Sequence, residues 1–118
     1  MIDSLRRLYD TVLEHRTLDP KKSRTAKLFQ AGRAKMAQKV GEEAIEIAIE
    51  AVQDRRDLVV AESADLIYNL TVLWAEMGIK PDDIWAEIRR REEMFGIAEK
   101  LPKNPERAQT TESPGRLP

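Results

Sequence analysis

Lys39-Val40-Gly41-Glu42-Glu43-Ala44-Ile45-Glu46, followed after fifteen residues by Glu62-Ser63-Ala64-Asp65, is the part of this chain that decides its fold. Both stretches lie in segments of helical periodicity. At ~100° per residue, Glu62, Asp65 and Asn69 fall within about 60° of one another. The surrounding residues Val59, Val60, Leu66, Ile67, Tyr68, Leu70, Val72, Leu73 and Trp74 are apolar nearly all round the helix, a pattern that predicts burial. Glu43, Glu46 and Glu50 share a stripe in the first segment. It borders Met36, Val40, Ala44, Ile47, Ala48 and Ala51, with Ile45, Ile49 and Val52 forming a second apolar strip on the far side. Clustered carboxylates with little access to water take up protons unless cations hold them. Oxygen-only ligands suit a hard cation, Mg²⁺ or Mn²⁺. The expectation is two antiparallel helices, each presenting a carboxylate pair, that meet around metal.

The connection between these helices, Asp54-Arg55-Arg56-Asp57, is short, so they are predicted to pack antiparallel. Glu46 and Glu62 each lie eight residues from Asp54, as pairing across such a hairpin requires. One Glu-x-x-Glu is weak evidence, because glutamates crowd solvent-facing helices. Two i,i+3 pairs across one hairpin, the second within an apolar helix, are far more specific.

Outward from the hairpin, Asp3-Ser4 is expected to cap a first helix, with Leu5, Leu8, Tyr9, Val12 and Leu13 as its apolar stripe through about Arg16. His15, the only histidine, sits near its C-terminal end, where a cation complements the helix dipole. Thr17-Leu18-Asp19-Pro20 breaks the helix. A short helix over Thr25–Ala31, started by Ser23 and stopped by Gly32, leads into a third helix from Arg33 to Gln53. Gly41 lies inside that helix and predicts close approach by a backbone or ligand, since glycine there costs roughly 1 kcal/mol relative to alanine. The fourth helix runs to Met77 and stops at Gly78. Pro81, with Asp82 and Asp83 in the first turn, opens a fifth to Phe95. Trp74 and Trp85 are expected to be core or subunit contacts. Residues 1–100 are read as one domain and 101–118 as a flexible proline-rich tail.

The chain has 118 residues, 35% of them charged and 5% aromatic, with a formal net charge of -1. These values suit one all-α domain whose modest core favours oligomerisation. They supply no global attraction to nucleic acid or acidic membranes. The absence of cysteine excludes disulfides, zinc thiolate sites and cysteine nucleophiles. No uninterrupted apolar run approaches the roughly 20 residues of a membrane helix. The N-terminus lacks a signal-peptide pattern, so a cytoplasmic location is the default expectation.

The Glu-x-x-Glu and Glu-x-x-Asp pairs resemble the metal signature of the all-α nucleoside triphosphate pyrophosphohydrolases, which include the MazG proteins. Thr25-Ala26-Lys27-Leu28, Gln38-to-Ala44, Asp54-Arg55, Glu62-to-Tyr68, Arg89-Arg90-Arg91 and the Gly96-to-Lys100 stretch more narrowly resemble the phosphoribosyl-ATP pyrophosphohydrolases of histidine biosynthesis. The likeness spans roughly Leu5 to Lys100. It departs at Asn69, where the family usually has histidine, and at Arg24, where it often has an aromatic residue. The resemblance implies a MazG-like helical bundle completed by homodimerisation. It also implies Mg²⁺-dependent hydrolysis of phosphoribosyl-ATP to phosphoribosyl-AMP and pyrophosphate.

The expected metal ligands are Glu43, Glu46, Glu62 and Asp65. Glu42, which points away from Glu43 by helical angle, is the candidate for water activation or outer support. Lys27, Arg33, Lys35 and Lys39 are candidates to hold phosphate as charge partners. Asn69, on the stripe of Glu62 and Asp65, faces the expected nucleotide site. The residues alone leave two other readings open: a house-cleaning nucleotide pyrophosphohydrolase of different specificity, and a non-catalytic helical dimerisation module.

Overall fold

A computed structural model describes residues 1–95 of the chain. Those residues form α1 (Ile2–His15), α2 (Arg24–Ala31), α3 (Arg33–Val52), α4 (Arg56–Met77) and α5 (Pro81–Phe95), with no strand among them. The all-α expectation holds. Met1–Asp83 make up one compact unit, and the described residues 84–95 belong to a second. The Gly96-to-Lys100 stretch and the expected tail lie outside the described residues.

Local chemistry accounts for the helix ends. α1 begins at Ile2, earlier than the Asp3-Ser4 cap predicts, and no side chain caps it. Asp3 instead sits in the first turn and pairs with Arg6 at 3.1 Å, while Ser4 accepts a hydrogen bond from Arg7 at 3.0 Å. Ser23 does cap α2: its Oγ accepts from the Ala26 amide at 3.0 Å, satisfying one of the amides a helix start leaves without an internal partner. Gly32 alone separates α2 from α3, and its φ of 102° is open to glycine and strained for other residues. Gly78 ends α4 in the left-handed region, with φ 72°. There the Ile79 amide donates to the Trp74 carbonyl at 2.8 Å and the Gly78 amide to that of Ala75 at 3.2 Å, closing the helix as a glycine C-terminal stop does. At the start of α5, Asp83 accepts from the Lys80 amide at 2.9 Å.

The α3–α4 hairpin is the most extensive packing among the described residues; α1 lies against α4 and α2 against α3. The core gathers at the end of the hairpin remote from its turn. Tyr9, Val12, Leu28, Met36, Val72 and Ala75 are buried together, flanked by Phe29, Tyr68, Leu73 and Trp74. The expected core role of Trp74 is met in this half-buried position.

Towards the turn the hairpin is bare. Ile45, Ile49 and Val52 on α3 and Leu58, Val60 and Ile67 on α4 are exposed, Val52 at 87% and Val60 at 70%. The expectation that α4 is buried all round is therefore corrected: only Asn69, Thr71, Val72 and Ala75 are buried on it. α1 and α2 contribute Tyr9, Val12 and Leu28 to the buried cluster in the other half, with Met36, Val72 and Ala75. α4 is also long and apolar enough on average to cross a membrane, a test that the core helix of a soluble protein passes too. It carries Glu62 and Asp65 within that length, and they face acids of α3 rather than lipid.

Candidate metal centre

The carboxylates sit where the covered half of the hairpin meets the bare half. Antiparallel packing about Asp54 brings Glu43 level with Asp65, and Glu46 level with Glu62. The Asp54 φ of 57° is one that aspartate tolerates better than most side chains. One carboxylate oxygen from each of Glu43, Glu62 and Asp65 lies within 4.8 Å of the other two. Glu43 is buried at 6% exposure, whereas Glu62 and Asp65 are half-buried. Solvent is thus scarce at Glu43 alone, a narrower finding than the sequence pattern predicts.

Two observations bear on whether this set fits a cation. The Glu43 Oε1 is buried and has no hydrogen-bond partner, an arrangement costly for an acceptor that folding has removed from water. The Glu62 carboxyl is pushed up to about 7. The hydrogen bond it can share with Glu43 is the main cause, followed by that with Glu46, with burial and like charge adding. Like-charged oxygens held this close favour either a shared proton or a divalent ion. The donor set is oxygen only, which fits Mg²⁺ or Mn²⁺. Glu46, itself exposed, crowds Glu62 but stands outside the three-oxygen group.

The other candidate residues are spread along α3 and its neighbours. Glu42 is exposed and accepts from the Gln38 amide at 2.8 Å; Lys39 lies 3.6 Å from it. The Gln38 hydrogen bond, with Lys39 and Lys35 adding, holds the Glu42 carboxyl below the usual carboxylate range. Lys35, Lys39 and Glu42 therefore form one flank of α3, beside the carboxylate group and apart from it. Lys27 is exposed on α2. Arg33 lies ten residues before Glu43 and pairs with Glu76 at 3.5 Å, so it sits roughly 15 Å along the helix from that carboxylate. Asn69 is 1% exposed. Its amide nitrogen donates to the Asp65 carbonyl at 2.9 Å, and its Oδ1 is buried without a partner. Gly41 is exposed, and a Cβ placed there meets nothing within 4 Å. The expected close approach is not made by any of the described residues.

Nothing in the hairpin pattern predicts a cleft of about 540 Å³ at the start of α2, lined among others by His15, Asp19, Lys22, Arg24, Thr25 and Tyr68. A sequence signal for it does exist: Tyr68 follows Asp65 by three residues, which makes the two neighbours on α4.

A family model for phosphoribosyl-ATP pyrophosphohydrolase matches residues 5–92. This chain belongs to the phosphoribosyl-ATP pyrophosphohydrolase family. A Rhodopseudomonas palustris protein named phosphoribosyl-ATP pyrophosphatase 2 is 64% identical over 104 residues, covering 88% of this chain and 79% of that protein. A Bradyrhizobium diazoefficiens protein of the same name is also 64% identical, with 88% and 78% covered. A phosphoribosyl-ATP pyrophosphatase of Gluconobacter oxydans is 50% identical over 103 residues, covering 87% and 77%. In this member of the family the match takes in α2, α3 and α4 entirely, and with them every carboxylate of the centre.

Proposed function

We propose that this chain hydrolyses phosphoribosyl-ATP to phosphoribosyl-AMP and pyrophosphate, in histidine biosynthesis, as a Mg²⁺-dependent cytoplasmic homodimer, with Mn²⁺ able to substitute. The observation that carries the reading is the convergence of Glu43, Glu62 and Asp65 in a chain of this family.

The reaction adds water across the anhydride between the α and β phosphates, and its charge is high throughout. A bound divalent ion would neutralise phosphate charge and acidify water. Glu43, Glu62 and Asp65 would hold it, with Glu46 completing the set. Lys35 and Lys39 lie on the adjoining flank of α3 and offer charge partners to phosphate oxygens that reach past the carboxylates. Glu42, tied to Gln38 and Lys39, serves as outer support that keeps Lys39 in place. Lys27 and Arg33 would add to the attraction of the polyanion.

The homodimer follows from the bare half of the hairpin. A single chain leaves Ile45, Ile49, Val52, Leu58, Val60 and Ile67 in water, and burial of such side chains is worth roughly 1.5–3 kcal/mol each. A second copy presents the same self-complementary surface. Gly41, open on the same flank of α3 as Ile45, would let a partner helix come close.

The test is turnover of phosphoribosyl-ATP with and without Mg²⁺, following pyrophosphate, beside a panel of other nucleoside triphosphates. Mg²⁺-dependent release from phosphoribosyl-ATP in preference to the panel is expected. Preference for another nucleotide would overturn the substrate, and no release from any nucleotide would overturn the enzyme.

A further inference from the structure

We propose that the cleft at the start of α2 is a second anion subsite, in which Arg24 holds the phosphate of the substrate's phosphoribosyl group while the carboxylate centre handles the triphosphate. This rests on the function proposed above. It concerns a place in the molecule that shares no residue with the carboxylate group.

The cleft is built around a cation that rests on an aromatic ring. The Arg24 guanidinium carbon lies 4.9 Å from the centre of the Tyr68 ring, within the range of a cation–π contact. The ring is itself held, because the Tyr68 hydroxyl and Thr25 Oγ1 lie 2.6 Å apart in a hydrogen bond. Among the described residues the Arg24 guanidinium takes part in no ion pair or hydrogen bond. Its planar fork of donors is therefore oriented and uncommitted, and that geometry matches two oxygens of a phosphate. Holding the side chain in advance also lowers the ordering cost of binding.

Lys22 and Asp19 balance each other at the rim, so Arg24 leaves the cleft net cationic. Lys22 and His15 also line the cleft, and Asp19 is the one carboxylate among its lining residues. One Asp19 oxygen already accepts from the Lys21 amide at 3.0 Å. The Ser23 cap takes the Ala26 amide, so the amides of Arg24 and Thr25 remain without an intrahelical partner at the same rim.

Position supplies the link to the reaction. Tyr68 and Asp65 are one turn apart on α4, which puts their Cβ atoms about 5–6 Å from each other. Tyr68 thus ties the cleft to the carboxylate centre along α4, with the Arg24 guanidinium on the far side of its ring, and the ribose–adenine–ribose body of the substrate spans such a separation. Phosphoribosyl-ATP is anionic at both ends, one end being the triphosphate and the other the phosphorylated second ribose. A carboxylate centre beside a cationic cleft is complementary to such a molecule in a way that either site alone is not. One face of Tyr68 is covered by Arg24, so the ring there serves to position the guanidinium.

The experiment compares the full-length wild type with Arg24→Ala and Arg24→Lys in Mg²⁺. It measures kcat and KM for phosphoribosyl-ATP, inhibition by ribose 5-phosphate, inorganic phosphate and ATP, and thermal shift with ribose 5-phosphate. Arg24→Ala is expected to raise KM and weaken ribose 5-phosphate by the same roughly ten- to hundredfold, the range of a charged hydrogen bond. It is expected to leave kcat within about threefold and ATP inhibition unchanged, with Arg24→Lys intermediate because it keeps charge but not the fork. Equal weakening of ATP and ribose 5-phosphate would show a general field and overturn the subsite, as would an unchanged KM. Inorganic phosphate binding as tightly as ribose 5-phosphate would overturn recognition of the sugar phosphate. Absence of phosphoribosyl-ATP turnover in the wild type would sink the function proposed above. The thermal shift would still decide the subsite, since ribose 5-phosphate must stabilise the wild type and not Arg24→Ala.

Discussion

Glu43 and Asp65 stand eleven residues either side of Asp54, on opposite helices, and bring carboxylate oxygens within 4.8 Å of each other. Neither is paired with a cation of the chain among the described residues. Glu43→Gln removes one like charge from the group while keeping the shape of the side chain. Metal-free protein of this variant is expected to melt at a higher temperature than the wild type at pH 8. Its Mg²⁺ affinity and its turnover should fall by at least the roughly 10–100-fold known for loss of outer-shell partners. Calorimetry and the turnover assay together check both directions.

Protons and Mg²⁺ are expected to compete at Glu62. Its folded pKa of about 7 lies above the ordinary 4.5, so the native state binds the extra proton. The stabilisation that proton gives is fully present below about pH 4.5 and is lost as pH rises through 7. Metal-free protein should therefore lose melting temperature between pH 5 and 8, and Glu62→Gln should flatten that part of the profile. Mg²⁺ binding at pH 6.5 should release protons, visible as a dependence of binding enthalpy on the ionisation enthalpy of the buffer.

Glu42→Gln is expected to lower kcat by less than about tenfold, because a carboxylate held below its usual pKa is a weak proton acceptor at neutral pH. A loss of a hundredfold or more would make Glu42 the base despite its place on the exposed flank.

Ile49→Glu places a charge on the bare strip of α3, where Ile49 is 50% exposed in the single chain. It should leave the helix content intact and convert a sedimenting dimer to monomer at micromolar concentration. A wild type that already sediments as a compact monomer would remove the dimer from the proposed function.

Met36→Ala tests the core. Met36 is 1% exposed and shares the buried cluster with Val12 and Val72. The cavity should cost about 2–5 kcal/mol, read as a lower midpoint in denaturant with an unchanged slope.

Periodicity and punctuation were enough to place five helices, to stop α4 at Gly78 and to align Glu46 with Glu62 across Asp54. Each of these follows from backbone geometry repeated along one segment, so nearby residues contain it. The i,i+3 spacing likewise puts Glu62 and Asp65 on one side of α4, whatever surrounds them. Coverage is another matter, because it depends on helices distant in the chain. Only the packing of α1 and α2 on one half of the hairpin decides that Met36 is buried while Ile49 is bare, although both belong to apolar strips. The same packing buries Glu43 and leaves Glu46, one turn away, exposed. It also carries Arg24 onto Tyr68 across more than forty residues of sequence. No local pattern encodes that meeting, since it is fixed by where the loop from His15 to Ser23 returns the chain to α4.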